Sequence, residues 1–163
     1  MLWAVIADTH MPRGTRRLPN ECVERLRAAD LVLHAGDFVE PSVLADLERL
    51  GPPVAAVHGN VDAPPLRRTL PVQRIVEGSG VRVGLVHDPG PAHGRLARLR
   101  RRFPGVDAVV FGHSHMPLRE RAGDGFQIFN PGSPTERRRA PAHTMGEGEV
   151  RDGTVRLALI TLT

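Results

Sequence analysis

The sequence predicts an α/β fold in which two sheets pack face to face with helices outside. Three observations lead there. The first half of the chain alternates short apolar runs with helix-period segments, the pattern of strands paired in parallel through helical crossovers. Those apolar runs are hydrophobic at nearly every position, as strands covered on both faces are. The second half carries hairpin-like pairs, which supply antiparallel edges or a second sheet. With 163 residues, 40% of them hydrophobic and 25% charged, the chain is expected to form one domain over residues 1–163 with a substantial core. No internal repeat or linker interrupts it.

Leu2 to Ala7 is apolar throughout and reads as the first strand, ending at Asp8-Thr9-His10. A loop with Pro12 and Gly14, carrying Arg13, Arg16 and Arg17, leads to a helix over about Pro19 to Ala29, where Cys22, Val23 and Leu26 form an apolar stripe. Leu31 to Ala35 is the second strand, ending at Gly36-Asp37; His34 inside it reads as a satisfied core histidine or one that supports the ligands from behind. Pro41 suits a first helical turn, and Ser42 to Leu50 continues it with Val43, Leu44, Leu47 and Leu50 on one face, until Gly51-Pro52 stops it. The third strand, Pro53 to His58, ends at Gly59-Asn60-Val61-Asp62.

After a proline-rich connection (Pro64, Pro65, Pro71), Val72 to Glu77 and Val81 to Val86 read as a hairpin across Gly78-Ser79-Gly80, the second strand ending at His87. His93 to Phe103 is an amphipathic helix, with Leu96, Leu99 and Phe103 on one face. Arg95, Arg98 and Arg102 lie on another, read as solvated. Asp107 to Phe111 is a strand running into Gly112-His113-Ser114-His115. Phe126 to Phe129 ends at Asn130-Pro131-Gly132-Ser133, and Pro134 to His143 is a basic loop with Arg137, Arg138 and Arg139. Thr144 to Val150 and Thr154 to Leu162 close the chain around Asp152-Gly153.

Composition narrows the function. All 22 basic residues are arginine, and the net charge is only +4. With 4% aromatic residues and no tyrosine there is little surface on which bases could stack, so nucleic acid enters only as a possible substrate. No apolar run is long enough to span a membrane. The amino terminus lacks the basic region of a secretory signal, and the lone Cys22 allows no intrachain disulfide; a cytoplasmic location is expected. Without lysine there is no phosphate-binding Gly-x-x-x-x-Gly-Lys loop.

Five strand-like segments end at Asp8, Asp37, Asn60, His87 and His113. Ligands of open α/β sheets gather at the carboxyl ends of the strands, so neighbouring parallel strands would bring these residues to one rim. With His10 and His115 they form a set of carboxylates, imidazoles and one amide, and no thiolate, which suits borderline or hard divalent cations. Seven donors are too many for one ion and suit two ions about 3.5–4 Å apart, bridged by a carboxylate. Singly, each residue has an ordinary reading as a turn former, strand-end cap or surface histidine. Their weight comes from occurring together.

Asp-x-His, Gly-Asp, Gly-Asn, a lone His and Gly-His-x-His, in this order after successive strands, resemble the calcineurin-like metallophosphoesterases. The short length and Asn130-Pro131-Gly132-Ser133 resemble their small bacterial and archaeal phosphodiesterase branch. The resemblance runs from Asp8 to about Ser133. It implies a four-layer αββα sandwich of two mixed sheets flanked by helices. It also implies two divalent cations, Mn²⁺ first, with Fe²⁺, Zn²⁺, Ni²⁺ and Mg²⁺ as alternatives. Asp8, His10 and His115 would hold one, Asn60, His87 and His113 the other, and Asp37 would bridge. The implied activity is hydrolysis of phosphodiesters by in-line attack of a metal-bridging hydroxide, with Asp37 and Asn60 among the catalytic groups.

Two positions depart from the family pattern. Larger relatives carry a histidine after Gly-Asn that protonates the leaving group; here Val61 stands there, followed by Asp62 as a residue supporting the ligands from behind. His58, at the end of the same strand, is the candidate proton donor. Asp88 follows His87 where the small branch usually has glycine, and either orients His87 or caps the turn. Arg13, Arg16 and Arg17 follow the first ligand pair and are candidate substrate contacts, as are Arg137 to Arg139 with His143. The alternatives are a phosphomonoesterase or nucleotide phosphatase with the same site, or a non-catalytic interaction scaffold on this fold. Relatives also self-associate, but the sequence identifies no interface.

Overall fold

The computed structural model describes residues 1–163. In chain order the elements are β1 (Leu2–Ile6), α1 (Asn20–Ala28), β2 (Leu31–His34), α2 (Pro41–Glu48), β3 (Val54–Ala56), α3 (Pro64–Thr69), β4 (Gln73–Gly78) and β5 (Val81–Val86). They continue as α4 (Arg95–Arg102), β6 (Ala108–Val110), β7 (Leu118–Arg121), β8 (Gln127–Asn130), β9 (Thr144–Arg151) and β10 (Thr154–Thr161).

Two five-stranded sheets form. One runs β10-β9-β1-β2-β3, with β1, β2 and β3 parallel and the terminal hairpin antiparallel at its edge. The other runs β4-β5-β6-β8-β7, with β5, β6 and β8 parallel between two antiparallel edge strands. Side chains alternate across a strand, and both faces are apolar. Trp3 and Val5 of β1 point between the sheets, meeting Val83, Leu85, Val110 and Phe129 of the second sheet in one buried cluster. Ala4 and Ile6 point outward, against Cys22 and Leu26 of α1 and Val43 and Leu47 of α2. On the far side Leu99 and Phe103 cover Val86, Val109 and Ile128. The layers are thus α, β, β, α, as expected.

The register places the site. Ile6 pairs with His34 and His34 with Ala56, so β1, β2 and β3 end level. Leu85 pairs with Val110 in the same sense across β5 and β6. The loops after these five strands therefore leave one rim, where the two sheets meet.

Two elements depart from the sequence reading. The proline-rich connection contains α3, whose two prolines occupy the first helical turn, where a missing N–H costs nothing. β7, Leu-Arg-Glu-Arg, falls where the sequence reading places no element: it lacks apolar alternation, and as an edge strand it needs none. No helix is long and apolar enough to cross a membrane.

Candidate metal centre

The rim is built from strained backbone. Asp8, His10, Asp37, His113 and His115 adopt φ of 55°, 44°, 64°, 74° and 60°, a left-handed region that residues other than glycine seldom occupy. Each costs on the order of 1 kcal/mol or more and persists only because its surroundings over-determine it. Five such residues on one rim turn their side chains inward together. Two glycines permit the close approach of the loops. A Cβ on Gly59 would lie 2.0 Å from Asp37 Oδ1, and one on Gly112 would lie 2.9 Å from Asp8 Oδ2.

The inward side chains form two imidazole pairs around two carboxylates. His10 and His115 stand with ring centroids 4.8 Å apart, and His87 and His113 5.1 Å apart. Asp37 lies between the pairs, its Oδ2 being 3.3 Å from His10 Nε2 and 3.2 Å from His87 Nε2. Its Oδ1 accepts a hydrogen bond from the Val61 N–H at 3.0 Å, which aims the other oxygen into the centre. Asp8 is held alike: Oδ1 accepts from the His113 N–H at 3.2 Å, while Oδ2 is buried with no partner. Asn60 Oδ1 is 3.0 Å from His87 Nε2 and 3.1 Å from His113 Nδ1.

Whether the residues fit a cation is decided by their unmet bonding. Besides Asp8 Oδ2, both ring nitrogens of His10 and Nε2 of His115 are buried without a hydrogen bond, although carboxylate oxygens of Asp37 and Glu136 face the His10 nitrogens at 3.3 and 3.4 Å. Each buried polar group left this way costs about 1–3 kcal/mol. Single donor atoms of Asp8, His10 and His115 lie within 4.8 Å of one another, as do those of Asp8, Asp37 and His87. Donors about 2.0–2.2 Å from a shared ion stand roughly 3–3.6 Å apart, the spacing seen around Asp37 Oδ2 and His87 Nε2. The set fits borderline or hard divalent cations.

The electrostatics agree. Burial drives the Asp8 carboxyl up to about 7, opposed by His87 beside it. Burial also opposes ionisation of Asp37, but the imidazoles of His10 and His87 outweigh it and hold this carboxyl well below the usual carboxylate range. Burial would lower His87, yet Asp37 and Asp8 raise it overall. Burial pushes His115 down to about 4. The rim thus gathers groups whose ordinary protonation is disturbed in opposite directions, as at sites built for charge.

Supporting residues set this geometry. Asp62 is buried and ties the loops after β2 and β3 together: Oδ2 accepts from the Asp37 and Gly59 N–H groups at 3.1 and 2.7 Å, and Oδ1 from Val39 at 2.8 Å. Asn130 donates to the Gly112 carbonyl at 3.0 Å and Ser133 to the Asp8 carbonyl at 2.8 Å, so the Asn-Pro-Gly-Ser segment braces both ends of the rim. His87 Nδ1 bonds the Ala35 carbonyl at 2.8 Å. Asp88 does not orient that ring; its Oδ1 caps the turn through the Gly90 N–H at 2.8 Å.

Glu136 was missed in the sequence. Its Oε2 is 3.4 Å from His10 Nδ1, its carbonyl accepts from His115 Nδ1 at 2.5 Å, and Arg16 pins Oε1 at 2.9 Å. It therefore stands behind both histidines of one pair. Nothing in a basic loop more than a hundred residues from His10 marks it. Of the three arginines expected at substrate, Arg16 is engaged with Glu136, while Arg13 and Arg17 are exposed. Arg137 donates to the Ala140 carbonyl at 2.7 Å.

A cavity of about 510 Å³ opens beside Asn60 and His87, and half-buried His58 lines it. The arginine face of α4 is not simply solvated. Arg98 reaches back to the Pro89 carbonyl, and Arg95 lies 5.2 Å over the Phe111 ring. The loop 88–94 leaves carbonyls without strand partners, and Arg98 satisfies them.

The profile of the calcineurin-like phosphoesterase superfamily domain matches residues 1–153. A Methanothermobacter thermautotrophicus protein named a probable metallophosphoesterase is 38% identical over 137 residues, 83% of this chain and 78% of that protein. The structure of Vps29 complexed with zinc from Entamoeba histolytica superposes with a TM-score of 0.78 at 23% identity, covering 99% of each chain. A structure described as a novel archaeal phosphodiesterase gives 0.73 at 21% identity, covering 98% of this chain and 100% of that one. At these identities the two structures speak for the fold alone.

Proposed function

This chain belongs to the calcineurin-like phosphoesterase superfamily, and from that premise we propose that it is a two-metal phosphoesterase hydrolysing phosphodiesters. Asp8, His10 and His115 hold one divalent cation, Asn60, His87 and His113 the other, and Asp37 bridges them. The observation that carries this reading is the position of Asp37 Oδ2, between His10 and His87, one imidazole from each pair. The family resemblance puts Mn²⁺ first, and carboxylate, imidazole and amide donors without thiolate suit it among the borderline and hard divalent cations. A cytoplasmic setting accords with the single buried thiol of Cys22.

When bound, the two cations supply positive charge for the phosphoryl oxygens and a water acidic enough to attack at neutral pH. The protein residues do the rest. Asp37 and Asp8, each with one oxygen fixed by a backbone N–H, present the other without rearrangement. Asn60 is exposed at the cavity mouth and orients the substrate there. His58 is the proton donor of this reading, acting as the imidazolium: Nδ1–H donates to the Gly59 carbonyl at 3.2 Å, and the proton on Nε2 passes to the departing oxygen, leaving the neutral ring.

The test is release of p-nitrophenolate from bis(p-nitrophenyl) phosphate and from p-nitrophenyl phosphate by metal-stripped protein, with and without Mn²⁺. Mn²⁺-dependent cleavage of the diester is expected, abolished in Asp37→Asn with the fold retained. Cleavage of the monoester alone would move the substrate class. Absence of both turnover and cation binding would favour the non-catalytic scaffold.

A further inference from the structure

The cavity beside Asn60 and His87 has two kinds of wall. Val72 and Pro91, both exposed, give it an apolar side over the buried Val86 and Leu99, and Val72 is left 58% exposed toward solvent. Arg67, Arg98 and Arg102 line the remainder. Its volume of about 510 Å³ lies within the range of pockets that enclose small organic molecules.

The three guanidiniums differ in what they have left to give. Arg98 is half-buried and commits four of its five N–H donors to the loop it supports, bonding the carbonyls of Pro89, Pro91 and His93. Arg67 and Arg102 are exposed. Arg67 bonds the carbonyls of Asp62 and Asn60, and Arg102 bonds Gln73 Oε1 at 2.6 Å and the Asp88 carbonyl at 3.2 Å. A guanidinium carries five N–H donors, so each keeps donors free. Every partner of the three is neutral, and their charge is not compensated by a bonded carboxylate. The only acidic side chain lining the cavity, Asp88, spends its Oδ1 on the turn. An apolar wall beside the reacting centre, flanked by two guanidiniums with free donors, matches an organic group that ends in an anion.

We propose that this cavity takes the part of a phosphodiester beyond the scissile phosphorus, and that Arg67 and Arg102 select substrates carrying a second phosphate on that part. A ring or apolar stretch between the two phosphates lies against Val72 and Pro91. Nucleoside bisphosphate esters have this chemistry. The inference rests on the phosphodiesterase reading, and its test separates the two.

The probes are thymidine 5′-(p-nitrophenyl phosphate) and the same ester bearing a 3′-phosphate, assayed with Mn²⁺-loaded protein. Charge-assisted hydrogen bonds contribute about 1.5–3 kcal/mol. The expected kcat/KM is therefore at least about tenfold higher for the 3′-phosphorylated ester, carried mainly by KM. Arg102→Gln should bring the ratio of the two substrates toward one, Arg102→Lys should restore part of it, and Arg67→Gln should add to the loss. A ratio near one in the wild type, or one unchanged by Arg102→Gln, overturns the proposal. Calorimetric binding of thymidine 3′,5′-bisphosphate against thymidine 5′-monophosphate reads the cavity without turnover. Tighter, Arg102-dependent binding of the bisphosphate by a protein that cleaves neither ester would keep the cavity assignment and sink the diesterase reading. Equal binding would sink the cavity assignment itself.

Discussion

His34 illustrates what the rim requires of a single residue. It is wholly buried, stacked on Phe38 at 3.6 Å between ring centroids. Its Nδ1 accepts from the Gly36 N–H at 3.1 Å, which leaves Nε2–H for Thr9 Oγ1, also at 3.1 Å. Burial pushes its pKa down from 6.5 to about 3, so the folded protein keeps it neutral where the unfolded chain would take up a proton. Stability tied to His34 is therefore intact above about pH 6.5 and is lost progressively as the pH falls toward 3, at up to about 1.4 kcal/mol per unit. Urea unfolding of metal-free protein at pH 7 and pH 5 checks this. The loss of stability between the two should be about 1–2 kcal/mol smaller in His34→Gln than in the wild type. Equal losses would mean that His34 charges within the fold. The apolar strand around it identified His34 as a core residue in the sequence, but not the partners that fix its tautomer.

At the scale of elements, the loops matter more than the strands they follow. The loop after β3 approaches the loop after β2 so closely that Gly59 has no room for a methyl group, whose carbon would fall 2.0 Å from Asp37 Oδ1. Gly59→Ala should therefore displace the Asp37 carboxylate while leaving the sheets intact. A shift of about an ångström in a reacting site costs on the order of a hundredfold in rate. A loss of that size in Mn²⁺-dependent turnover, with far-UV circular dichroism unchanged, is the expected result. Wild-type turnover would show that the carboxylate is not held as described. Strand ends were legible because apolar runs stop at polar residues, and five of the seven candidate ligands sit there. α3 was not legible, since Pro64 and Pro65 look like breakers until they occupy a first turn. Nor was β7, whose charged residues suit an edge and mimic a loop. Glu136 was invisible for another reason: its proximity to His10 and His115 arises from tertiary folding, and no local pattern encodes it.

At the scale of the molecule, the two sheets serve as jaws. β1, β2 and β3 of one and β5 and β6 of the other end on the same rim, so residues from opposite layers share one centre. The buried cluster between the sheets, from Trp3 and Val5 to Val83 and Phe129, fixes the distance between them. Five residues are held in left-handed conformations at that junction, and the packed layers on either side bear the cost. On the proposed function, this junction holds two cations sharing Asp37. Low-temperature electron paramagnetic resonance of protein loaded with two equivalents of Mn²⁺ tests it most directly. Two ions bridged by one carboxylate should give a spin-coupled spectrum, lost in Asp37→Asn. The hyperfine pattern of isolated Mn²⁺ in the wild-type protein at that loading would contradict the account.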